Sequence, residues 1–431
     1  MSIETDAAHT PNFPESGGLA FPAAGNLRGP LAFAIGCFLI WGLAYGLLDV
    51  LNKHFQETLS ISQADSSWLQ IAYFGAYLLL SLPAGMLLNA RGYKFGIVSG
   101  LSLTAVGALL FIPAANAGSF LPFVGSMFVL AAGLCVLETS ADTYVNVLGD
   151  PAKASQRLNL AQSFNALGVF IGPMIGGAVF FSPTTTEALG GATRSIQIVY
   201  GLIAVAVLIF AAVVWRARLP ETGLADHGGA VEGDAPAKPH APKGLAQQPH
   251  FIAGVVTQAL YIGAQVGIGA YFINLVTHNW QGLSSQQGAF MLSLAAIGYL
   301  VGRFAATGLL LKVRPRALLT TYGVINVVLT LIVAAGIDKV SPIALIAVFF
   351  FMSTMFATIF ALGTTGLGAH TKKASSLMVM AIGGGVLLPW PMGKLADLYG
   401  ANIAFLLPAA CFAVVAWYGW KGAGLGRPHV R

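Results

Sequence analysis

The chain has 431 residues, of which 56% are hydrophobic and only 9% are charged, and its mean hydropathy is +0.75. A soluble domain carries roughly 25% charged residues, so this composition excludes a soluble enzyme and indicates a protein that crosses a membrane several times. The three cysteines lie inside apolar runs, which is typical of small buried side chains and not of disulfides or a metal site.

Twelve apolar runs are long enough to cross a bilayer as helices. We predict these helices at 30–52, 67–88, 96–114, 120–148, 160–182, 196–216, 251–276, 287–311, 316–336, 341–366, 374–393 and 401–420. The Gly-, Pro- and charge-rich segment 217–249 is typical of a flexible linker. We therefore predict an all-α membrane protein with a cytoplasmic tail at 1–29, six-helix bundles at 30–216 and 250–420, a cytoplasmic linker at 217–249 and a cytoplasmic tail at 421–431. The N-terminal tail lacks the pattern of a signal peptide.

The basic residues predict the orientation of these helices. With the N-terminus inside, 17 of the 22 lysines and arginines fall on cytoplasmic segments, four fall on outer segments, and Arg303 lies within a helix. This bias follows the positive-inside rule and accounts for the net charge of +6 without nucleic acid. We expect many of the inner positive charges to face anionic lipid headgroups.

The first predicted helix carries a carboxylate, Asp49, near its outer end. An intramembrane carboxylate costs on the order of 3 kcal/mol and usually serves a function, so we predict a role for Asp49 in substrate binding or proton coupling. The alternative is that the helix ends early and Asp49 is solvated. Tyr45 in this helix and Tyr73 in the next are candidates to stack on a sugar ring, and ordinary core packing is the alternative for each.

The fourth predicted helix contains GLCVLETSADTY at 133–144. Glu138 and Asp142 are four residues apart, so they share one face of the helix and point into one cavity or one packing seam. Two neighbouring carboxylates in a low-dielectric environment do not both ionise easily, which is suited to a group that carries a proton. We predict Glu138 as the proton-coupled group. Asp142 could be a sugar ligand, a second titrating group or part of a sodium site, and a salt bridge with Arg303 is the structural alternative.

Amides on two further helices are candidates to bind sugar hydroxyls, because an amide both donates and accepts hydrogen bonds. The fifth helix carries Gln162 and Asn165, and the seventh offers a matching surface formed by Tyr261, Gln265 and Asn274. Hydrogen bonding between helices is the alternative for each of these side chains.

The second half also contains features suited to gating. Arg303 needs a partner within the membrane, and its alternatives are a gating role and contact with the substrate. The segments GGG at 383–385 and PWP at 389–391 should break or thin the eleventh helix. Arg91 and Arg314 follow corresponding helices of the two halves and are predicted to be structural or gating residues.

The two halves resemble each other: Gly75, Gly85 and Arg91 correspond to Gly298, Gly308 and Arg314 at a constant offset of 223. Such a duplication indicates two parallel six-helix repeats with a site between them. The segment PAGMLLNARGYKFG (83–96), which joins the second predicted helix to the third, resembles a signature of the major facilitator superfamily. The segments FLIWGLAYGLLDVL (38–51), RLNLAQSFNALG (157–168) and GYLVGRF (298–304) resemble its fucose–proton symporter branch, which includes glucose/galactose and N-acetylglucosamine transporters.

The resemblance implies roles for particular residues. The branch's functional aspartate, glutamate and glutamine fall on Asp49, Glu138 and Gln162, which in the family mark sugar binding and proton coupling. In the fucose-transporting members of the branch, asparagines stand three residues and one residue before the aspartate, where this sequence has Gly46 and Leu48, and a further asparagine follows the glutamate, where this sequence has Asp142. The loss of these amides argues against fucose itself.

The sequence thus predicts a monomeric symporter in the bacterial inner membrane that takes up a hexose, deoxyhexose or N-acetylhexosamine with a proton by alternating access. Sodium coupling is the alternative, and a non-sugar transporter or a membrane sensor is more remote. We expect no cofactor, no metal and no nucleic-acid partner. An enzyme is not expected, because the motifs H-E-x-x-H and G-x-S-x-G are absent from the sequence.

Overall fold

The computed structural model describes residues 28–148, 154–219, 245–367 and 370–426. Within these ranges, twelve helices are long and apolar enough to span a membrane, which confirms the predicted fold class. Their bounds are α1 Arg28–Leu59, α2 Trp68–Arg91, α3 Tyr93–Asn116, α4 Leu121–Val147, α5 Ala154–Phe180, α6 Ala192–Arg216, α7 Pro249–Asn279, α8 Ser285–Leu310, α9 Pro315–Ala334, α10 Val340–Met352 with Met355–Thr364, α11 Thr371–Met380 with Pro389–Tyr399, and α12 Leu406–Trp420. Most of the predicted N-terminal tail and linker lies outside the described residues.

Successive helices run in opposite directions, so the loops fall on two faces of the bundle. We call the face where α1 begins and α12 ends the terminal face, and the opposite one the distal face. Within the first half, α1 packs on α5 and α3 packs on α4 and α6, whereas in the second half α9 packs on α12 and α8 packs on α10. The two halves meet where α1 contacts α7, α2 contacts α11 and α5 contacts α8.

Glycines allow α1 and α5 to approach within backbone contact. A Cβ atom on Gly168 would lie 2.6 Å from the Leu39 carbonyl oxygen, and one on Gly172 would lie 2.7 Å from the Gly46 carbonyl carbon. Only a residue without a side chain fits at such a crossing. This seam fixes α1, and with it Asp49, against the first half.

The first helix is longer than predicted, because it continues to Leu59 and not only to residue 52. Its last turns are polar, which hides them from a search for apolar runs. They are nevertheless helical because the distal ends of other helices cover them: Asn52 and His54 are 0% and 1% exposed. Asp49 therefore lies within a helix.

The tenth span, predicted at 341–366, covers Val340–Thr364, and within it the helix breaks at Ser353 and Thr354. The carbonyls that the break frees have side-chain partners. The Ser353 hydroxyl donates to the Phe350 carbonyl at 2.7 Å, and the Tyr261 hydroxyl donates to the Met352 carbonyl at 2.8 Å. Such partners are what make irregular backbone tolerable inside a membrane.

The eleventh helix is interrupted as the GGG segment predicts. Residues Ala381–Val386 form a 3₁₀ helix between two α-helical pieces. A Cβ atom on Gly385 would lie 2.5 Å from the Phe74 ring, and one on Gly383 would lie 2.6 Å from the Leu78 side chain. Both neighbours belong to α2, so the glycines allow α11 to pack closely against the other half of the protein.

Candidate functional site

A cavity of about 210 Å³ lies between α2, α4 and α11, in the part of the bundle nearer the terminal face. The α4 wall is polar and contains both carboxylates of the fourth helix. The polar side chains around the cavity are Tyr77, Ser81, Glu138, Thr139, Asp142 and Thr143. The α11 wall is apolar and includes Val379, Met380 and Ile382.

Glu138 and Asp142 share this cavity, as their spacing predicts, and neither is compensated within it. The Glu138 Oε2 and Asp142 Oδ1 atoms are buried and make no hydrogen bond. Among the described residues the one ion pair joins Lys53 and Glu57 on the distal part of α1, so the alternative of a salt bridge with Arg303 is not formed. Both side chains are half-buried, and a buried carboxylate oxygen without a hydrogen bond or a cation is costly, so a proton or a cationic ligand would remove that cost.

Asp49 lies at the contact between the halves. It is 7% exposed, which excludes the alternative of a solvated residue beyond the helix end. The Gln70 amide of α2 lies 3.5 Å from Asp49 Oδ1, and Gly269 of α7 packs directly against the carboxylate, because a Cβ atom there would collide with it. The fully buried Gln70 was not predicted, and its sequence context, WLQIAYF, gives no signal that separates it from core packing.

Aromatic rings connect Asp49 with the cavity. Tyr45, one turn before Asp49, lies 6.1 Å from Tyr73 between ring centroids, and Tyr73 stacks on Tyr77 at 5.4 Å. The hydroxyls of Tyr73 and Tyr77 are buried and unpartnered, and Tyr77 reaches the cavity beside Glu138. The predicted stacking residues thus form part of a continuous aromatic wall across α1 and α2.

The second half contributes a group of polar side chains opposite this wall. Gln265 lies beside the Tyr45 hydroxyl. The fully buried Tyr261, one turn earlier, lies close to Tyr299 and Arg303 of α8. The Arg303 guanidinium donates to the Tyr299 hydroxyl at 3.3 Å and sits 5.2 Å from the centre of that ring. Tyr299 was not singled out from the sequence, although it lies within GYLVGRF, one turn before Arg303.

Three predicted amides lie in different surroundings. Gln162 is half-buried on α5. Asn165 donates to the Phe38 carbonyl of α1 at 3.4 Å, and Asn274 donates to Gln56 and Gln63 at 2.6 and 2.9 Å. Hydrogen bonding between helices, the alternative to sugar binding, therefore describes Asn165 and Asn274 in this conformation.

The predicted arginines at the helix ends lie on the terminal face. Arg91 ends α2 and is exposed, with its guanidinium 5.1 Å from the centre of the Phe95 ring. Arg314 immediately precedes α9 and is also exposed. Their matching places at the ends of α2 and α8 agree with the internal duplication, and their gating role stays a prediction.

The distal ends of the two halves are joined by hydrogen bonds that we call the distal seal. Asp397 of α11 accepts from the backbone N–H groups of Gln63 and Ala64 at 2.9 and 3.0 Å. The Tyr271 hydroxyl donates to the Gln63 carbonyl at 2.9 Å, and Asn52 donates to the Ala270 carbonyl at 2.9 Å. Asn274 and its partners belong to the same set. The carboxylate cavity lies on the other side of the molecule from this seal.

The family model of the Major Facilitator Superfamily matches residues 31–389. The chain belongs to the major facilitator superfamily. It is 34% identical over 388 residues to a glucose/galactose transporter of Brucella abortus, covering 90% of this chain and 92% of the relative. It is also 34% identical over 404 residues to the L-fucose–proton symporter of Escherichia coli, covering 90% and 91%. These relatives are transporters, so the prediction that the chain is not an enzyme is confirmed.

Solved structures agree with this family. A variant of the E. coli fucose–proton symporter aligns with a TM-score of 0.64 at 31% identity, over 92% of this chain and 99% of that one. The xylose transporter of E. coli in an inward-open conformation aligns with a TM-score of 0.71 at 11% identity, over 92% and 96% of the two chains. The second likeness concerns the fold alone.

Proposed function

We propose that this protein carries a monosaccharide into the cell together with a proton by alternating access. The observation that carries the proposal is the pair Glu138 and Asp142, which share a cavity between the two halves with buried, unpartnered oxygens. A proton on such a pair removes an uncompensated charge, and the proton can be released when the cavity opens to water. The names of the relatives, glucose/galactose transporter and fucose–proton symporter, support a sugar as the substrate.

Each group receives a role in this scheme. Glu138 carries the proton, and Asp142 sets the charge of the same cavity. Asp49 and Gln162 hold sugar hydroxyls, with Tyr45 and Tyr73 offering ring faces. Tyr261, Gln265 and Arg303 supply the contacts of the second half, so that a bound sugar touches both halves and can couple their movement.

The excess of basic residues on the terminal-face segments supports a cytoplasmic location for that face and for both chain ends, in the inner membrane of a bacterium. With this orientation the distal seal closes the outer side, and the carboxylate cavity lies toward the cytoplasm. The structure then corresponds to an inward-facing state. We propose that the protein acts as a monomer, since each chain has both halves of the site.

Uptake of a panel of labelled sugars into proteoliposomes tests the proposal. We expect a neutral hexose or N-acetylhexosamine to accumulate when the outer solution is made acidic, with choline as the only other cation. Accumulation that requires a sodium gradient and does not depend on the pH gradient would favour sodium as the coupling ion. The presence of a second carboxylate, Asp142, in the cavity is the observation that supports this alternative. Absence of uptake or exchange of any sugar would refute the substrate class.

A further inference from the structure

The hydroxyl groups around the carboxylate cavity have few protons to offer a ligand. Thr139 donates its hydroxyl proton to the Cys135 carbonyl at 2.8 Å, and Thr143 donates to the Thr139 carbonyl at 2.8 Å. Ser81 donates to the Tyr77 carbonyl. A hydroxyl has one proton and two lone pairs, so these three groups present only lone pairs to the cavity.

The other polar groups of the cavity strengthen this imbalance. Glu138 and Asp142 are hydrogen-bond acceptors when ionised, and each has a buried oxygen without a partner. The Tyr77 side chain is 8% exposed and its hydroxyl is unpartnered, so it supplies a single proton and two lone pairs. No lysine, arginine or histidine lines the cavity among the described residues. The polar wall therefore complements a ligand that donates hydrogen bonds and carries positive charge.

An ammonium group has this chemistry, since it offers three donors, no acceptor and a positive charge. The hydroxyls of a neutral sugar, in contrast, both donate and accept. The apolar wall of α11 suits the hydrocarbon face of a sugar ring placed between it and the carboxylates. A bare metal ion fits less well, because hard cations take a cage of oxygen ligands and one wall here is hydrocarbon.

We propose that the cavity selects an amino sugar with a free, protonated amine, such as glucosamine, over the corresponding neutral sugar. The ammonium group pairs with the ionised Asp142 and donates to the carbonyl oxygen of Glu138, which carries the transported proton, and the ring packs against Met380 and Ile382. This inference rests on the proposed function, because it narrows the substrate class of the proposed transporter. It places the amine-bearing side of the sugar in the carboxylate cavity, which Tyr77 and Tyr73 connect with the residues assigned to the other sugar hydroxyls. Asp142 sets this preference for an ammonium group. An asparagine at this position would remove the negative charge and would add an amide that itself donates two hydrogen bonds.

Counterflow exchange in proteoliposomes tests the inference, because exchange requires binding and alternation but no net proton movement. Vesicles preloaded with glucosamine, glucose or N-acetylglucosamine are diluted into labelled sugar, for the wild type and for Asp142→Asn. We expect the wild type to prefer glucosamine, and the preference to fall on the order of ten- to a hundredfold in the variant, which corresponds to one charge-assisted hydrogen bond. Asp338→Asn, an exposed change in the loop after α9, is the matched control and should keep the wild-type preference.

Thermal unfolding of the wild type provides a second measurement if Asp142→Asn does not fold, because a ligand stabilises the state that binds it. Glucosamine should raise the unfolding temperature at lower concentration than glucose does. Equal or weaker stabilisation by glucosamine, or an unchanged preference in Asp142→Asn, would overturn the inference while leaving sugar transport intact. If sodium but not choline stabilises the protein and glucosamine has no advantage over glucose, the carboxylates hold a metal ion and the inference is wrong. If no sugar exchanges or stabilises, the proposed function itself fails.

Discussion

Weakening the distal seal at Asp397 should shift the protein toward a state that is open at the distal face. Its carboxylate accepts from two backbone N–H groups, at 2.9 and 3.0 Å, across the boundary between the halves. Asp397→Asn keeps the size of the side chain but removes the charge and one of the two acceptor oxygens. A charge-assisted hydrogen bond contributes about 1.5 kcal/mol at the low end, and because Asp397 is exposed we expect a cost of about 1 kcal/mol to the closed state. The open population should therefore rise about fivefold relative to the closed one.

Distances between spin labels on the distal face measure this shift. Ser119→Cys in the loop after α3 and Lys339→Cys in the loop before α10 place labels on exposed positions of the two halves, and the native cysteines Cys37, Cys135 and Cys411 are buried. The fraction of long distances should increase in Asp397→Asn. It should stay at the wild-type level in Glu187→Gln, which removes an exposed charge from the same face outside the seal. An unchanged distance distribution in Asp397→Asn would refute the role of this carboxylate in holding the halves together.

Three further substitutions test other parts of the account. Gly168→Ala places a Cβ atom 2.6 Å from the Leu39 carbonyl oxygen, so it should lower the free energy of unfolding by about 1–3 kcal/mol in thermal unfolding. An unchanged stability would mean that α1 and α5 are not in backbone contact. Tyr261→Phe leaves the Met352 carbonyl at the α10 break without its donor, so the variant should lose roughly 1–3 kcal/mol of stability. A variant as stable as the wild type would show that the hydroxyl does not support the break. Asp49→Asn should fold but lose most of the thermal stabilisation by sugar, and full stabilisation would remove Asp49 from the binding site.

The twelve helices could be predicted from the sequence because apolar runs of membrane length leave few alternatives. The helical period alone predicts that Glu138 and Asp142 share one face of α4. In the structure both side chains line the same cavity. The sequence leaves two alternatives for Asp49, a buried or a solvated carboxylate, because the polar last turns of α1 look like the end of a helix. Those turns are covered by both halves of the protein, since His54 packs against Phe180 and Asn52 donates to the Ala270 carbonyl.

Features that depend on contacts between distant segments were not predictable. An amide in a membrane helix gives the same sequence signal whether it binds sugar or a neighbouring helix, so Asn274 could not be assigned to the distal seal. The break of α10 lacks glycine and proline, and it is supported by Tyr261 on another helix. Tyr299 and Gln70 resemble core residues until Arg303 and Asp49 are found beside them.

The central claim, that Glu138 couples sugar movement to a proton, is tested most directly with Glu138→Gln in proteoliposomes. The amide has nearly the shape of the carboxyl group but cannot take up and release the proton. The account predicts that the variant no longer accumulates sugar against its gradient when the outer solution is acidic, while it still exchanges sugar between the two sides of preloaded vesicles at a rate comparable to that of the wild type. Normal pH-driven accumulation by Glu138→Gln would contradict the account.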